Sequence, residues 1–223
     1  MKLSFSTRAW SGYSWEDFCQ AAKTVGYGGV ELHGIVGSPW TADGGPFHRS
    51  SAARTVRRLF DEGLRLVCLD SVCDISSGDE RNAEELSACV RLAHDFSIPY
   101  VRVRALDASE TGLAAADACV RSALPDAEKR GVTLLVETAG AFSDTAKLQE
   151  FLTRFSSDSL AALWDLYHPY FDHGESPETS IKNLGAYVRH VHVKDSAEEN
   201  GARVFRLPGE GGRSHAGCQT KAV

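Results

Sequence analysis

Short runs rich in β-branched and aromatic residues alternate with amphipathic stretches of about a dozen residues along nearly all of this 223-residue chain. That rhythm is the signature of parallel βαβ construction, because each strand needs a crossover helix before its parallel neighbour. The strand runs are Leu3 to Ser6, Gly29 to His33, Arg65 to Asp70, Tyr100 to Arg104, Thr133 to Glu137, Ala161 to Asp165 and Val188 to Val193, seven in all. Helix starts between them carry recognisable signals. Ser14 with Asp17 three residues on reads as a capping box, and Ser176-Pro177 places proline at a first helical position. Trp15, Phe18, Cys19, Ala22 and Val25 fall on one apolar stripe, and Gly26, Gly63 and Gly131 stand where helices should stop.

A doubly wound sheet and a TIM (β/α)8-type barrel lacking one unit both fit seven such repeats. No GxGxxG turn follows the first strand, which removes the dinucleotide-binding version of the open sheet. A barrel of this kind occupies about 250 residues as a single domain. The α/β barrel is therefore the expected fold, with seven strands readable and the eighth missing; residues 1–211 form the domain and 212–223 an irregular tail.

In a barrel strand the apolar alternate set faces the helices and the remainder faces inward. Val101 and Val103 thus turn Arg102 and Arg104 inward, and Val67 and Leu69 do the same for Cys68 and Asp70. Val30 and Leu32 leave Glu31 and His33 inward, and Leu134 and Val136 leave Glu137 inward. The sixth strand ends on Asp165 with His168 just beyond it, while Val191 and Val193 assign His190, His192 and Lys194 to the interior. These polar groups gather at the C-terminal ends of the strands, where such barrels carry their active sites. A single strand-end carboxylate is commonly a cap or an ion-pair partner; the joint placement carries the argument. Two carboxylates and an imidazole from successive strands, Glu137, Asp165 and His192, are oxygen and nitrogen ligands suited to Mn2+, Mg2+, Co2+ or Zn2+.

Composition narrows the partners. A formal charge of -6 offers no global basic surface, so no nucleic acid is expected and a small molecule is the better substrate. No apolar run approaches the roughly 20 residues of a membrane span, and Met-Lys-Leu-Ser-Phe-Ser turns polar too early for a signal peptide. With six scattered cysteines and no CxxC pair, a cytoplasmic protein with reduced thiols is expected.

Five segments, in this order, resemble the xylose isomerase-like TIM-barrel superfamily of sugar isomerases, epimerases and endonuclease IV enzymes. They are Gly26-Tyr-Gly-Gly-Val-Glu-Leu32, Leu134-Leu-Val-Glu-Thr138, Trp164-Asp-Leu-Tyr-His-Pro169, His190-Val-His-Val-Lys-Asp195 and Pro208-Gly-Glu-Gly211. The resemblance implies a divalent metal held by Glu137, Asp165 and His192, with Glu137 also moving the proton and His168 orienting substrate oxygens. Glu31 resembles a second-strand acid of the substrate pocket, and His33, Arg104 and Lys194 complete the candidate substrate-binding set. Proton abstraction next to a carbonyl of a sugar, sugar phosphate or inosose is the implied chemistry, ending in isomerisation, epimerisation or loss of water. A metal phosphodiesterase like endonuclease IV is the enzymatic alternative; there His33 matches an extra ligand, but the third strand ends on Asp70 in place of a histidine.

Two departures qualify the resemblance. The family's fourth ligand, a glutamate ending the eighth strand, has no counterpart after residue 211, where composition changes abruptly; Glu210 and His215 are the nearby substitutes. A truncated reading frame is the expectation, with a non-catalytic remnant as its extreme, and the open barrel edges would favour a homo-oligomer. Glu198 stands six residues after His192, where ketose epimerases carry arginine. Lys194-Asp195 suits inosose-metabolising relatives or is an ordinary strand-end ion pair. Arg102 is expected to pair with Glu31 or Asp70 inside the barrel, and Arg104 either pairs likewise or grips an anionic group of the substrate.

Overall fold

The computed structural model describes residues 2–9, 12–207 and 209–211. The expected tail 212–223, with His215 and Cys218, lies outside the described residues, as does Pro208. Strands β1 (Ser4–Ser6), β2 (Gly29–His33), β3 (Arg65–Asp74), β4 (Tyr100–Ala105), β5 (Thr133–Gly140), β6 (Leu160–Asp165) and β7 (Val188–His192) form one parallel sheet. Its spatial order is the sequence order, 1 to 7, so each connection steps to the next neighbour in one direction. A doubly wound sheet would reverse order at a switch point. This sheet never does, and it curls into an incomplete TIM-type barrel.

Helices α1 (Trp15–Val25), α2 (Ala52–Asp61), α3 (Glu80–Asp95), α4 (Glu110–Arg130), α5 (Thr145–Thr153), α6 (Tyr167–His173) and α7 (Pro177–Leu184) lie between the strands. The Ser14 side chain accepts from the Asp17 N–H while Asp17 reaches back to the Ser14 N–H, so two orphan donors of α1 are satisfied at once. Gly26 closes α1 and Gly131 closes α4, both with φ near +70° to +80° (81° and 67°), where a side chain would strain.

Two apolar layers hold the curl. The larger lies between sheet and helices and includes Val30, Leu32, Val101, Val103, Leu134, Val136, Leu86, Phe18, Phe47 and Phe151. The smaller plugs the inside of the barrel below the site: Leu135, Ala161 and Leu163, with Tyr100 against them. The inside and outside sets alternate along β2, β4 and β5 as read from the sequence; on β3 the register shifts, so that Leu66 and Leu69 join the helix-side layer and Val67, expected there, does not.

Three further readings need correction. Val25, placed on the buried stripe of the first helix, is 65% exposed; it is the last residue of α1, beyond the turn that Trp15, Phe18, Cys19 and Ala22 press against the core. Val191 and Val193, expected on a helix-covered face, are 41% and 57% exposed; among the described residues the chain after β7 continues into strands, and no helix follows to cover them. And β7 is followed by an unforeseen antiparallel hairpin, β8 (Asp195–Glu199) and β9 (Ala202–Arg206). Its turn, Asn200-Gly201 with φ of 52° and 76°, is the asparagine-glycine pair that favours tight hairpins, a signal present in the sequence. The hairpin docks on α6: Arg203 pairs with Asp172 at 2.7 Å and lies over the rings of Tyr167 and Phe171.

Candidate active site

Strands β5, β6 and β7 end side by side, and register pairs Asp165 with His192 directly. The Thr138 hydroxyl, fully buried, bonds both the Asp165 N–H (2.8 Å) and the Asp165 carbonyl (3.0 Å), stapling β5 to β6 at this level. Glu137, Asp165 and His192 thereby bring one ligand atom each within 4.8 Å of one another. Glu137 Oε1 stands 3.4 Å and Asp165 Oδ2 3.8 Å from His192 Nδ1. Both oxygens are shielded from solvent and neither makes a hydrogen bond of ordinary geometry. Buried carboxylate oxygens left in this condition are costly unless a cation serves them. Two hard oxygens and an imidazole nitrogen fit a small divalent ion.

Side-chain cations do part of that work. The Lys194 ammonium lies 2.5 Å from Asp165 Oδ2. Burial alone would hold the His192 imidazole neutral, but its contacts with Glu137 and Glu31 raise it to about 9. Glu137 is pushed up by burial and down by His192 and Arg102; the second influence wins, and the carboxyl lies well below the usual range.

The other ring nitrogen of His192 bonds Glu31 at 2.9 Å, and His190 reaches the same oxygen at 3.2 Å. Burial opposes ionisation of Glu31, but the two imidazoles hold it well below the ordinary carboxylate range. Glu31 thus supports His192 from behind. Glu210, by contrast, is exposed in the turn after β9, its N–H bonded to the Leu207 carbonyl, and it does not join the cluster around His192.

Arg102 is paired, as expected, though with a different second partner. It bridges Asp70 and Glu137, the latter at 2.5 Å, with all three residues almost wholly buried; Glu31 goes to the histidines. His33 bonds Asp70 at 2.7 Å. Burial, with Arg8, Arg102 and Arg104 close by, depresses the His33 imidazole to about 4, against the smaller opposing influence of Glu31. A histidine kept neutral by the fold costs stability once the unfolded chain can protonate it. The unfolded chain binds this proton below about pH 6.5 and the folded one only near pH 4. Stability is therefore expected to fall across that window by on the order of 2 kcal/mol after solvent screening. Urea melts at pH 7, 5.5 and 4.5 check this; His33→Gln should flatten the decline.

His168 stands on α6, its Nδ1 held by Asp172 at 2.7 Å and its Nε2 3.5 Å from Lys194 Nζ. Lys194 pairs with Asp165, so the Lys194-Asp195 ion pair is not formed. Asp195 is buried and accepts N–H bonds from Gly209 (2.8 Å) and Gly211 (3.0 Å), and a Cβ on Gly211 would collide with it. That gives the Gly209-Glu-Gly211 segment a structural duty: it ties down the chain that leaves β7. Asp172 and Thr138 were missed as supporting residues. The spacing of four between His168 and Asp172 on one helix was the available clue for the first; only strand register reveals the second.

With this geometry in view, a family model described as xylose isomerase-like TIM barrel matches residues 19–218. No curated protein matches the sequence. Among solved structures, the IolI protein with a bound zinc atom superposes with a TM-score of 0.78 at 15% identity, covering 95% of this chain and 81% of that one. The probable 3-DHS dehydratase AsbF of Bacillus anthracis gives 0.75 at 21% identity, over 88% and 74%. L-ribulose 3-epimerase gives 0.71 at 19%, over 91% and 74%. At these identities the superpositions speak for the fold.

Proposed function

The chain belongs to the xylose isomerase-like TIM-barrel family, and on that premise we propose that it is a divalent-metal-dependent sugar isomerase or epimerase working by proton abstraction next to a carbonyl. The observation that supports this reading is the convergence of two buried carboxylate oxygens, Glu137 Oε1 and Asp165 Oδ2, on His192 Nδ1, with the Lys194 ammonium against Asp165. When bound there, a divalent ion supplies a Lewis acid for the substrate carbonyl. Neighbours whose names record zinc binding or sugar epimerisation are consistent with such a site.

The chain's own residues then have distinct work. Glu137, ionised and fixed by Arg102, is the proton-transfer base. His168, locked by Asp172, presents Nε2 to a substrate oxygen. Lys194 must leave Asp165 when a metal takes that oxygen, and its ammonium is then available to the substrate beside His168. Glu31 sets the orientation of His192, and the buried Leu135, Ala161 and Leu163 close the floor of the site against water.

Loss of water in place of proton return is the second reading. It is favoured by Lys194, whose ammonium can donate to a departing hydroxyl and stands 3.5 Å from His168 Nε2, and a neighbour is named as a dehydratase.

The test is thermal unfolding with and without Mn2+. An ion at about 100 times its Kd stabilises the folded state by about 2.7 kcal/mol, a rise of several degrees for a chain of this size. Asp165→Asn keeps the shape and the Oδ1 bond to the Tyr167 N–H but should lose that rise. No rise in the wild type sinks the metal-dependent reading.

A further inference from the structure

We propose that Arg8 and Arg104 form an anion-binding subsite at the mouth of the barrel, which selects substrates carrying a carboxylate or phosphate group beside the sugar hydroxyls. This rests on the reading of the site given above and narrows it to anionic sugars.

Three strand ends build the subsite. Strand β1 runs directly into a 3-10 turn, Thr7–Ala9, which carries Arg8; the His33 N–H donates to Thr7 Oγ1 at 3.0 Å and ties that turn to the end of β2. Arg104 stands near the end of β4, in register with Asp74 of β3. The other cations of the barrel mouth have counter-ions, Arg102 with Asp70 and Glu137 and Lys194 with Asp165, while Glu31 faces His190 and His192. Among the described residues Arg8 and Arg104 have none.

Arg104 is the telling case. Its Nε is shielded from solvent and makes no hydrogen bond. Of the carboxylates near it, Asp74 uses Oδ1 for the Ser76 N–H and hydroxyl and the Leu106 N–H, Glu137 uses Oε2 for Arg102, and neither forms an ion pair with Arg104. Burial and the neighbouring Arg102 and Arg8 all act against the Arg104 charge, and Asp74 and Glu137 do not fully offset them. A guanidinium held half-buried and unpaired beside two others costs stability, and a planar carboxylate or a phosphate, taken through two parallel N–H bonds, removes that cost.

His33 adds direction. With Asp70 accepting at Nδ1, the neutral ring carries its proton there, and Nε2 is left as an acceptor. That nitrogen suits a substrate hydroxyl next to the anion, the pattern of a sugar acid or a sugar phosphate.

The test uses metal-free protein in EDTA, so that its outcome is independent of the Mn2+ experiment. Thermal midpoints and titration calorimetry are taken with D-glucuronate, inorganic phosphate and D-glucose, against sodium chloride at matched ionic strength. At least one of the two anions is expected to raise the wild-type midpoint above chloride while glucose does not. Glucuronate acting alone marks a carboxylate subsite, and phosphate acting alone a phosphate one. Arg104→Gln and Arg8→Gln should each weaken that binding about tenfold or more. In the absence of any ligand Arg104→Gln is expected to raise the midpoint, because it removes an unpaired charge. Failure of both anions to stabilise the wild type, undiminished binding in both variants, or a lowered ligand-free midpoint in Arg104→Gln would each overturn the proposal.

Discussion

Replacing Arg102 by methionine is expected to cost the fold about 3–5 kcal/mol, the penalty typical of removing one partner from a buried ion pair. Asp70, Arg102 and Glu137 are 2%, 2% and 1% exposed, so the two carboxylates left behind have no water to turn to. His33 still donates to Asp70, but Glu137 loses its 2.5 Å partner and keeps only the longer 3.4 Å contact of Oε1 with His192. For a chain of this length the loss corresponds to a fall of about 10 °C in Tm. Coupling can be read from a double-mutant cycle. Adding Glu137→Gln to Arg102→Met should restore part of the loss, since the second change removes the orphaned charge. A drop below about 1 kcal/mol in the single variant would mean that water reaches the trio and that it is not the brace inferred here.

Glu137→Gln alone is expected to act on chemistry more than on folding. The amide keeps the size of the side chain and an oxygen for Arg102, but it can neither take a proton nor contribute a charged ligand. A misplaced or absent general base typically costs 10²- to 10⁴-fold, and the decline here should lie in that range or above it because one group has both duties. The measurement is deuterium uptake from heavy water at the carbon beside the carbonyl, with Mn2+ present and a panel of ketoses, inososes and sugar acids as substrates. This readout catches the shared proton-abstraction step whether the product is an isomer, an epimer or a dehydrated compound. Exchange that persists within tenfold in the variant would remove Glu137 from the role of base; the fate of the Mn2+ stabilisation in Asp165→Asn would still report on the metal site separately.

Much of the barrel was legible because strand alternation is a local property. Val101 and Val103 announce by themselves that Arg102 and Arg104 face the other way, and Leu134 and Val136 do the same for Glu137. The structure keeps each of those assignments. Where local reasoning failed, the missing information was about neighbours. Val191 and Val193 alternate like a covered strand, but coverage depends on whether a helix arrives, and nothing within residues 188–193 encodes that. The hairpin after β7 was legible in principle through Asn200-Gly201; it was passed over because its strands, with Glu198, Glu199, Arg203 and Arg206, are too polar to read as a buried unit.

The sequence by itself determined the period of the repeats, the direction that the side chains of β2, β4 and β5 take and the presence of Glu137, Asp165 and His192 on successive strands, since all three follow from spacing along the chain. Only the tertiary structure decided who pairs with whom. Arg102 chose Asp70 and Glu137, Lys194 chose Asp165 over its neighbour Asp195, and Arg8 and Arg104 were left without a carboxylate. The reason is physical: an ion pair depends on distances of a few ångströms across strands far apart in sequence, and those are set by strand register and the curl of the sheet, which no single segment contains.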